Sequence, residues 1–164
     1  WHVITQHEAV ALKRLPARRA SVLAPVLLVP SLINRFHILD LHPQQSFARF
    51  LQAAGHDVYL LDWHHDAARG LPDSVTACLA DHLAPALQRL GAPHVIGYCM
   101  GGTLSVLAAS RWRQHMRSLT LFATPWDFHR PAPDGARRFA QAIDALRHNA
   151  PSDHVTAEWL QMLF

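Results

Sequence analysis

A cysteine set between glycines is the residue of this chain best placed to do chemistry. Residues 97–102 read Gly-Tyr-Cys-Met-Gly-Gly, a G-x-C-x-G pattern. This is the spacing of a nucleophile elbow, a tight strand-to-helix turn, with Cys99 in place of the usual serine. A thiol ionises much closer to neutral pH than a hydroxyl, and the N-terminus of the following helix favours a thiolate. We predict that Cys99 is the nucleophile of an acyl transfer and that Gly97, Gly101 and Gly102 let neighbouring backbone approach closely. The alternative is a buried structural cysteine.

Acyl transfer also needs two donors for the oxyanion of the tetrahedral intermediate. In an elbow of this kind the first is the backbone N–H of the residue after the nucleophile, here Met100. The second comes from the loop after an earlier strand, here residues 30–34. Counting from the end of that strand, we predict the Leu32 N–H as this donor, with Ser31 as second choice. The alternative is an ordinary strand-to-helix loop without a role in chemistry.

Short apolar runs without alternation predict the strands that position these residues, and such runs are typical of parallel strands covered on both faces. The predicted strands are residues 25–30, 56–62, 93–97 and 119–123. Helices are predicted between them, with Pro43 in the first turn of one, a cap at Asp73 or Ser74 for the next, and Gly91 at its end. The predicted helices are residues 43–54, 73–90 and 100–112.

Alternation of strands and helices indicates an α/β fold with a mostly parallel sheet and flanking helices. After Pro125 the pattern changes, and residues 134–149 and 155–164 are predicted to be helical with no strand between them. We therefore interpret residues 1–130 as the N-terminal part of a core and residues 131–164 as the start of a helical lid. Because the chain begins at Trp1, we expect a fragment of a longer protein.

The composition argues against several other classes of protein. A formal charge of +3 is spread along 164 residues without a basic block or a recognition motif, which argues against nucleic-acid binding. No apolar run reaches the roughly 18 residues of a membrane span. Two cysteines are too few for a disulfide framework and fit a reducing cytosol. Thirteen histidines occur, but none in a known metal-ligand spacing, so we expect no metal site.

Four blocks, in family order and spacing, carry a resemblance to the polyhydroxyalkanoate synthases, members of the α/β-hydrolase superfamily. These blocks are residues 26–41, 55–63, 97–103 and 124–128. The resemblance implies an enzyme that polymerises (R)-3-hydroxyacyl-CoA into a storage polyester and releases CoA, with Cys99 carrying the growing chain as a thioester. It also implies an α/β-hydrolase fold, a homodimer, no cofactor apart from the CoA thioester substrate, and a cytoplasmic location that includes the surface of polyester granules.

The chain departs from the family pattern at three places. Ser31 stands where the family has a second proline, His37 replaces one of two aromatic residues, and residues 64–66 read His-His-Asp after Trp63. We interpret these differences as those of a divergent member of the family. We expect Trp63 to pack in the core rather than to stack on substrate.

The resemblance implies a histidine base and an aspartate, which lie well downstream of the cysteine in this family. We expect both beyond Phe164, and therefore little turnover by residues 1–164 alone. Within the chain, Asp127 is a candidate for the acid, but a structural or capping role for this residue is favoured. The histidines that we weighed as local substitutes are His64, His65, His129 and His154. The first two follow a strand end and could face the site, whereas the last two are expected to be solvated.

Three functions remain open from the sequence. The first is the polymerising acyltransferase. The second is a thioesterase, esterase or depolymerase that uses the same elbow with water as acceptor. The third is a catalytically silent chain that binds polyester granules or a partner through its apolar lid.

Overall fold

A six-stranded sheet organises the part of the chain that the computed structural model describes, namely residues 1–20, 22–126 and 141. Its strands are β1 (His2–His7), β2 (Val10–Leu15), β3 (Val26–Val29), β4 (Val58–Asp62), β5 (His94–Tyr98) and β6 (Ser118–Phe122). Their order across the sheet is β1-β2-β4-β3-β5-β6. The pairs β4–β3, β3–β5 and β5–β6 are parallel, whereas β1–β2 and β2–β4 are antiparallel. The predicted mostly parallel sheet is confirmed.

Strand β3 shows why the sheet is covered on both faces. Successive side chains of a strand point to opposite faces, and all four residues of β3 are buried. Leu27 and Val29 pack in one apolar cluster, and Val26 and Leu28 pack in a second. A strand buried on both faces needs helices above and below, which the continuous apolar sequence predicted.

The helices that supply this cover are α1 (Phe47–Ala53), α2 (Val75–Ala77), α3 (Ala84–Leu90) and α4 (Met100–Trp112). Ala48 of α1 belongs to the cluster of Val26 and Leu28. Side chains of α3 and α4 belong to the cluster on the other face, among them Leu87 and Leu104. The elbow helix α4 and the helix α1 therefore lie on opposite faces of the sheet, as expected for flanking helices.

Local capping decides where two of these helices begin. The prediction that Pro43 lies in a first turn is wrong, because α1 begins after Ser46, whose Oγ accepts from the Arg49 N–H at 2.9 Å. Of the two predicted caps for the next helix, Ser74 is the one used: its Oγ accepts from the Ala77 N–H at 3.0 Å. Between α2 and α3 the chain is π-helical over Cys78–Leu83, an irregularity that the sequence pattern did not indicate.

The hairpin of β1 and β2 was not predicted. Strand β1 lies at the edge of the sheet and is almost entirely exposed, so its side chains need not alternate between apolar and polar. Its pairing with β2 also shifts register between Val3 and Thr5. Without a buried face on β1, the sequence carries no period-two signal for this hairpin.

The chain divides into two compact units, Trp1–Trp126 and Asp127–Phe164. The helical lid predicted for residues 131–164 lies outside the described residues, apart from Gln141. Among the described helices, none combines the length and the apolar character required to cross a membrane.

Asp40 gives the fold a predictable response to acid. Its carboxylate accepts from Trp1 Nε1 at 2.7 Å and from Arg49 Nε at 3.1 Å. Burial raises the pKa of Asp40, but hydrogen bonds from Ser46, Trp1 and Arg49 and the charge of Arg49 outweigh burial and lower it overall. A lowered carboxyl pKa stabilises the fold at pH values above the pKa of the unfolded chain, which is about 4. This contribution is lost as the pH falls through the pKa of the folded protein.

We therefore expect Asp40→Asn to lower the melting temperature at pH 7, with a difference from wild type that shrinks as the pH falls below about 4. Thermal melts of both proteins between pH 7 and pH 3 measure this difference. A difference of equal size at every pH would show that the charge of Asp40 does not stabilise the fold.

Candidate active site

Cys99 lies at the turn between β5 and α4, in the strand–turn–helix arrangement that the sequence predicted. Its backbone has φ 52° and ψ −125°, a left-handed conformation that a residue with a side chain adopts only under strain. The Cys99 N–H donates to the Phe122 carbonyl at 2.9 Å, and the Cys99 carbonyl accepts from the Gly102 N–H at 2.9 Å. These two bonds hold the strained turn from both sides.

The elbow glycines lie where no side chain fits. A Cβ on Gly97 would overlap the Gly102 Cα, and a Cβ on Gly102 would overlap the Thr124 side chain. A Cβ on Gly101 would overlap the carbonyl oxygens of Val29 and Pro30. Backbone therefore approaches closely at Gly97 and Gly101, whereas the neighbour of Gly102 is a side chain. At Gly101 the neighbouring backbone is the end of β3 and the start of the loop that follows it.

Backbone amides of this loop and of the elbow are available to a ligand. Ser31 is buried, and its Oγ accepts from the Ile33 N–H at 3.2 Å, which fixes the turn of the loop. Leu32 and Met100 are half-buried. Within residues 1–20 and 22–126, neither the Leu32 N–H nor the Met100 N–H donates to any acceptor. These are the two amides that the sequence analysis named as oxyanion donors.

Two side chains that follow β4 bind the same loop. Trp63 is buried in the core, as predicted, and its Nε1 also donates to the Pro30 carbonyl at 2.9 Å. His64 Nε2 lies 2.7 Å from the Leu32 carbonyl, to which it donates. Sequence reasoning placed His64 at the sheet edge near the site but did not predict either hydrogen bond. The only available signal was that both residues follow a parallel strand at its C-terminal end.

Among the residues that the structure describes, none that was predicted as acid or base is hydrogen-bonded to Cys99. Asp127, His129 and His154 lie outside the described residues. Among residues 1–126 other than Ser21, no histidine ring is hydrogen-bonded to Cys99; His64 contacts Leu32, and His65 Nδ1 lies 3.8 Å from Asp62 Oδ2.

Two further observations on the described part of the chain concern ligand binding. No group of three His, Cys, Asp or Glu side chains there could hold a metal ion. A cavity of about 250 Å³ lies against β1, β2 and α3, and it includes none of the predicted site residues. Its polar lining consists of Thr5, His7, Asp81, His82 and Arg89.

The two cysteines are expected to react differently with iodoacetamide in the folded protein. Cys78 is 2% exposed, and burial raises the pKa of its thiol, whereas Cys99 is partly exposed. We expect a single alkyl group, on Cys99, when peptides of the native protein are mapped by mass, and labelling of both thiols after unfolding in denaturant. Native labelling of Cys78 at a rate similar to that of Cys99 would contradict this assignment.

The sequence is similar to those of known proteins over most of its length. Residues 24–152 match the alpha/beta hydrolase fold family. The chain is 40% identical over 105 residues to the poly(3-hydroxyalkanoate) polymerase subunit PhaC of Haloarcula marismortui, covering 60% of this chain and 22% of that protein. It is 30% identical over 177 aligned positions to the protein of the same name from Synechocystis sp., covering 97% of this chain and 47% of that protein. The resemblance predicted from the four sequence blocks is confirmed.

A solved structure supports the fold independently. The structure of Rv0554 from Mycobacterium tuberculosis superposes with a TM-score of 0.67 at 17% identity, covering 93% of this chain and 52% of that chain. At this identity the likeness concerns the fold alone, and it confirms the predicted α/β-hydrolase fold. The chain spans less than half the length of either PhaC relative.

Proposed function

The chain belongs to the alpha/beta hydrolase fold family, and from this premise we propose that it carries the nucleophile of a poly(3-hydroxyalkanoate) polymerase. The observation that carries the proposal is Cys99 itself, a partly exposed thiol on a strained strand-to-helix turn. The names of the PhaC relatives support the choice of product, a poly(3-hydroxyalkanoate). The choice of substrate, an (R)-3-hydroxyacyl-CoA, rests on the family resemblance. No cofactor is needed for this chemistry.

In the proposed first step the Cys99 sulfur attacks the carbonyl carbon of the CoA thioester. A carbon–sulfur bond forms, the carbonyl oxygen becomes an oxyanion, and the intermediate collapses with loss of the CoA thiolate, which takes up a proton. In the second step the hydroxyl oxygen of an acceptor chain attacks the acyl-Cys99 carbonyl, which forms an ester and releases the Cys99 thiol.

The Met100 and Leu32 amides would hold the oxyanion in both steps. Two features support this role: neither amide donates to another described residue, and Gly101 lets the elbow helix pack directly on the backbone of residues 29–30. Donors already fixed in place stabilise developing charge without reorganisation during the reaction.

In the proposed mechanism a group from outside the described residues moves the proton. Each proposed step needs a general base, and no described histidine is hydrogen-bonded to Cys99. We propose that the histidine base and its partner aspartate lie well downstream of Cys99, outside residues 1–164, as the family resemblance implies. Within the chain, Asp127 is the alternative candidate for the acid. A homodimer in the cytoplasm, working at the surface of polyester granules, is part of the same proposal and rests on the family resemblance alone.

Incubation of the full-length protein with (R)-3-hydroxybutyryl-CoA tests the proposed function. CoA release is followed with a thiol reagent, and the products are separated into polymer and free acid. Polymer together with CoA is the expected result. Free acid together with CoA would replace the proposal by a thioesterase or related hydrolase. Absence of CoA release, with binding to polyester granules retained, would replace it by a catalytically silent binding protein.

A further inference from the structure

We propose that Trp63 and His64 are positioning residues that hold the Leu32 amide in the orientation needed to bind the oxyanion. The inference rests on the proposed acyl transfer at Cys99. The two side chains follow β4 directly and reach across to the loop after β3, about thirty residues earlier in the chain.

The two hydrogen bonds enclose the peptide unit that matters. Trp63 Nε1 donates to the Pro30 carbonyl at 2.9 Å, and His64 Nε2 donates to the Leu32 carbonyl at 2.7 Å. The Leu32 N–H belongs to the peptide unit that joins Ser31 to Leu32. This unit lies between the unit that carries the Pro30 carbonyl and the unit that carries the Leu32 carbonyl. Because each peptide unit is planar, the central unit can turn only through ψ of Ser31 and φ of Leu32. We infer that the two anchored neighbouring units restrict these torsions.

The loop is also held by the elbow helix and by a hydrogen bond within the loop itself. Gly101 of the elbow helix lies so close to the Val29 and Pro30 carbonyls that no Cβ could be accommodated. The Ser31 Oγ accepts from the Ile33 N–H at 3.2 Å. His64 therefore supplies the contact at the far end of the loop, next to the proposed donor.

His64 is itself held by the buried carboxylate of Asp62. The His64 N–H donates to Asp62 Oδ1 at 3.2 Å, and Lys13 Nζ of β2 lies 2.6 Å from Asp62 Oδ2. The side chains of Lys13 and Asp62 are 15% and 5% exposed, so this ion pair is shielded from solvent. The Asp62–Lys13 ion pair in the sheet therefore fixes the His64 backbone. The His64 ring, through its hydrogen bond to the Leu32 carbonyl, in turn fixes the loop.

The His64 contact matters for function because oxyanion donors that are already oriented stabilise the developing charge best. An oxyanion donor contributes to the rate only if it points to where the charge develops, and loss of one donor lowers a rate by about 100- to 1,000-fold. Removing the His64 contact leaves the Leu32 amide present but free to turn. We therefore expect a smaller effect, about 10-fold or more, confined to reactions that pass through an oxyanion.

Two reagents separate this role from a general effect on Cys99. Acylation by p-nitrophenyl butyrate forms a tetrahedral oxyanion, whereas alkylation by iodoacetamide displaces iodide at a saturated carbon and forms none. Both rates are measured at Cys99 of the full-length protein, with Cys99→Ala as the background. His64→Leu removes the donor with little change in size, and His64→Gln keeps an amide donor.

The expected result is that His64→Leu slows acylation about 10-fold or more and leaves alkylation within about twofold of wild type. His64→Gln should restore most of the acylation rate. Trp63→Phe, which keeps the buried ring but loses Nε1, should show the same selective loss and provides a second variant if His64→Leu folds poorly. Unchanged acylation in both donor-less variants, or an equal fall in acylation and alkylation, would overturn the proposal.

The same experiment distinguishes failure of this inference from failure of the proposed function. A wild-type protein that is acylated at Cys99 but makes no polymer would remove the polymerase function, and the role of His64 could still be measured. A wild-type protein that is not acylated at Cys99 would overturn both.

Discussion

Cys99→Ala is expected to lower the rate of CoA release from (R)-3-hydroxybutyryl-CoA by at least about 1,000-fold in the full-length protein. The substitution removes the atom that forms the acyl bond, and the remaining binding and oxyanion contacts cannot replace a nucleophile. Alanine keeps the Cβ, so the strain of the positive φ at this position is unchanged. The melting temperature should therefore move by only a few degrees. CoA release and thermal melts measure the two effects separately.

Cys78→Ala is the matched control for this prediction. Cys78 is buried in the cluster on the α3–α4 face of the sheet, so its replacement leaves a small cavity and lowers stability. Its activity per folded molecule should stay close to wild type. Full CoA release by Cys99→Ala, or loss of activity in Cys78→Ala alone, would show that the elbow cysteine is not the nucleophile.

Cys99→Ser replaces the thiol by a hydroxyl, the nucleophile that this fold usually carries at the elbow. Because a hydroxyl ionises at a much higher pH than a thiol, we expect slower acylation and some retained hydrolysis. Release of free acid by this variant in place of polymer would be consistent with the turn being a working elbow.

Gly101→Ala is expected to cause the second large loss. The new Cβ would overlap the carbonyl oxygens of Val29 and Pro30, which are backbone atoms and cannot rotate away as a side chain could. Either the elbow helix or the loop that carries the Leu32 amide must move. We expect a fall in the free energy of unfolding of about 1–3 kcal/mol, as for other overpacked sites. CoA release should fall by about 100-fold or more, because a displaced loop no longer aims its donor.

Gly91→Ala is the control for Gly101→Ala. Gly91 has φ +63°, and a Cβ there meets nothing within 4 Å. Its replacement therefore tests backbone strain without a clash and should leave activity unchanged per folded molecule. A wild-type melting temperature and a wild-type rate of CoA release in Gly101→Ala would show that the close packing of α4 on the residues after β3 does not matter for the site.

The core strands and the elbow were predictable because their signals are local. The continuous apolar run of residues 25–30 predicted β3, and the glycines around Cys99 predicted the strand–turn–helix. The edge hairpin was missed because β1 is exposed and carries no alternation. The start of α1 was placed too early because the side-chain cap of Ser46 outweighs the preference of proline for a first turn.

In the site, too, the residues whose role depends on nearby sequence were predictable, whereas contacts between distant parts of the chain were not. Cys99, Met100 and Leu32 follow from positions along the chain relative to strand ends. The hydrogen bonds of Trp63 and His64 to the loop join residues more than thirty positions apart, and only the parallel pairing of β3 with β4 brings them together. A sequence can place both residues at one sheet edge but does not give the direction of their side chains.

Trapping of the acyl group tests the central claim most directly. The full-length protein is mixed with (R)-3-hydroxybutyryl-CoA, quenched in acid within one turnover, digested and mapped by mass. We expect a hydroxybutyryl thioester on the peptide that contains Cys99 and none on the peptide that contains Cys78. Release of CoA with the acyl group on another residue, or with no acylated peptide in wild type and equal release by Cys99→Ala, would contradict the account.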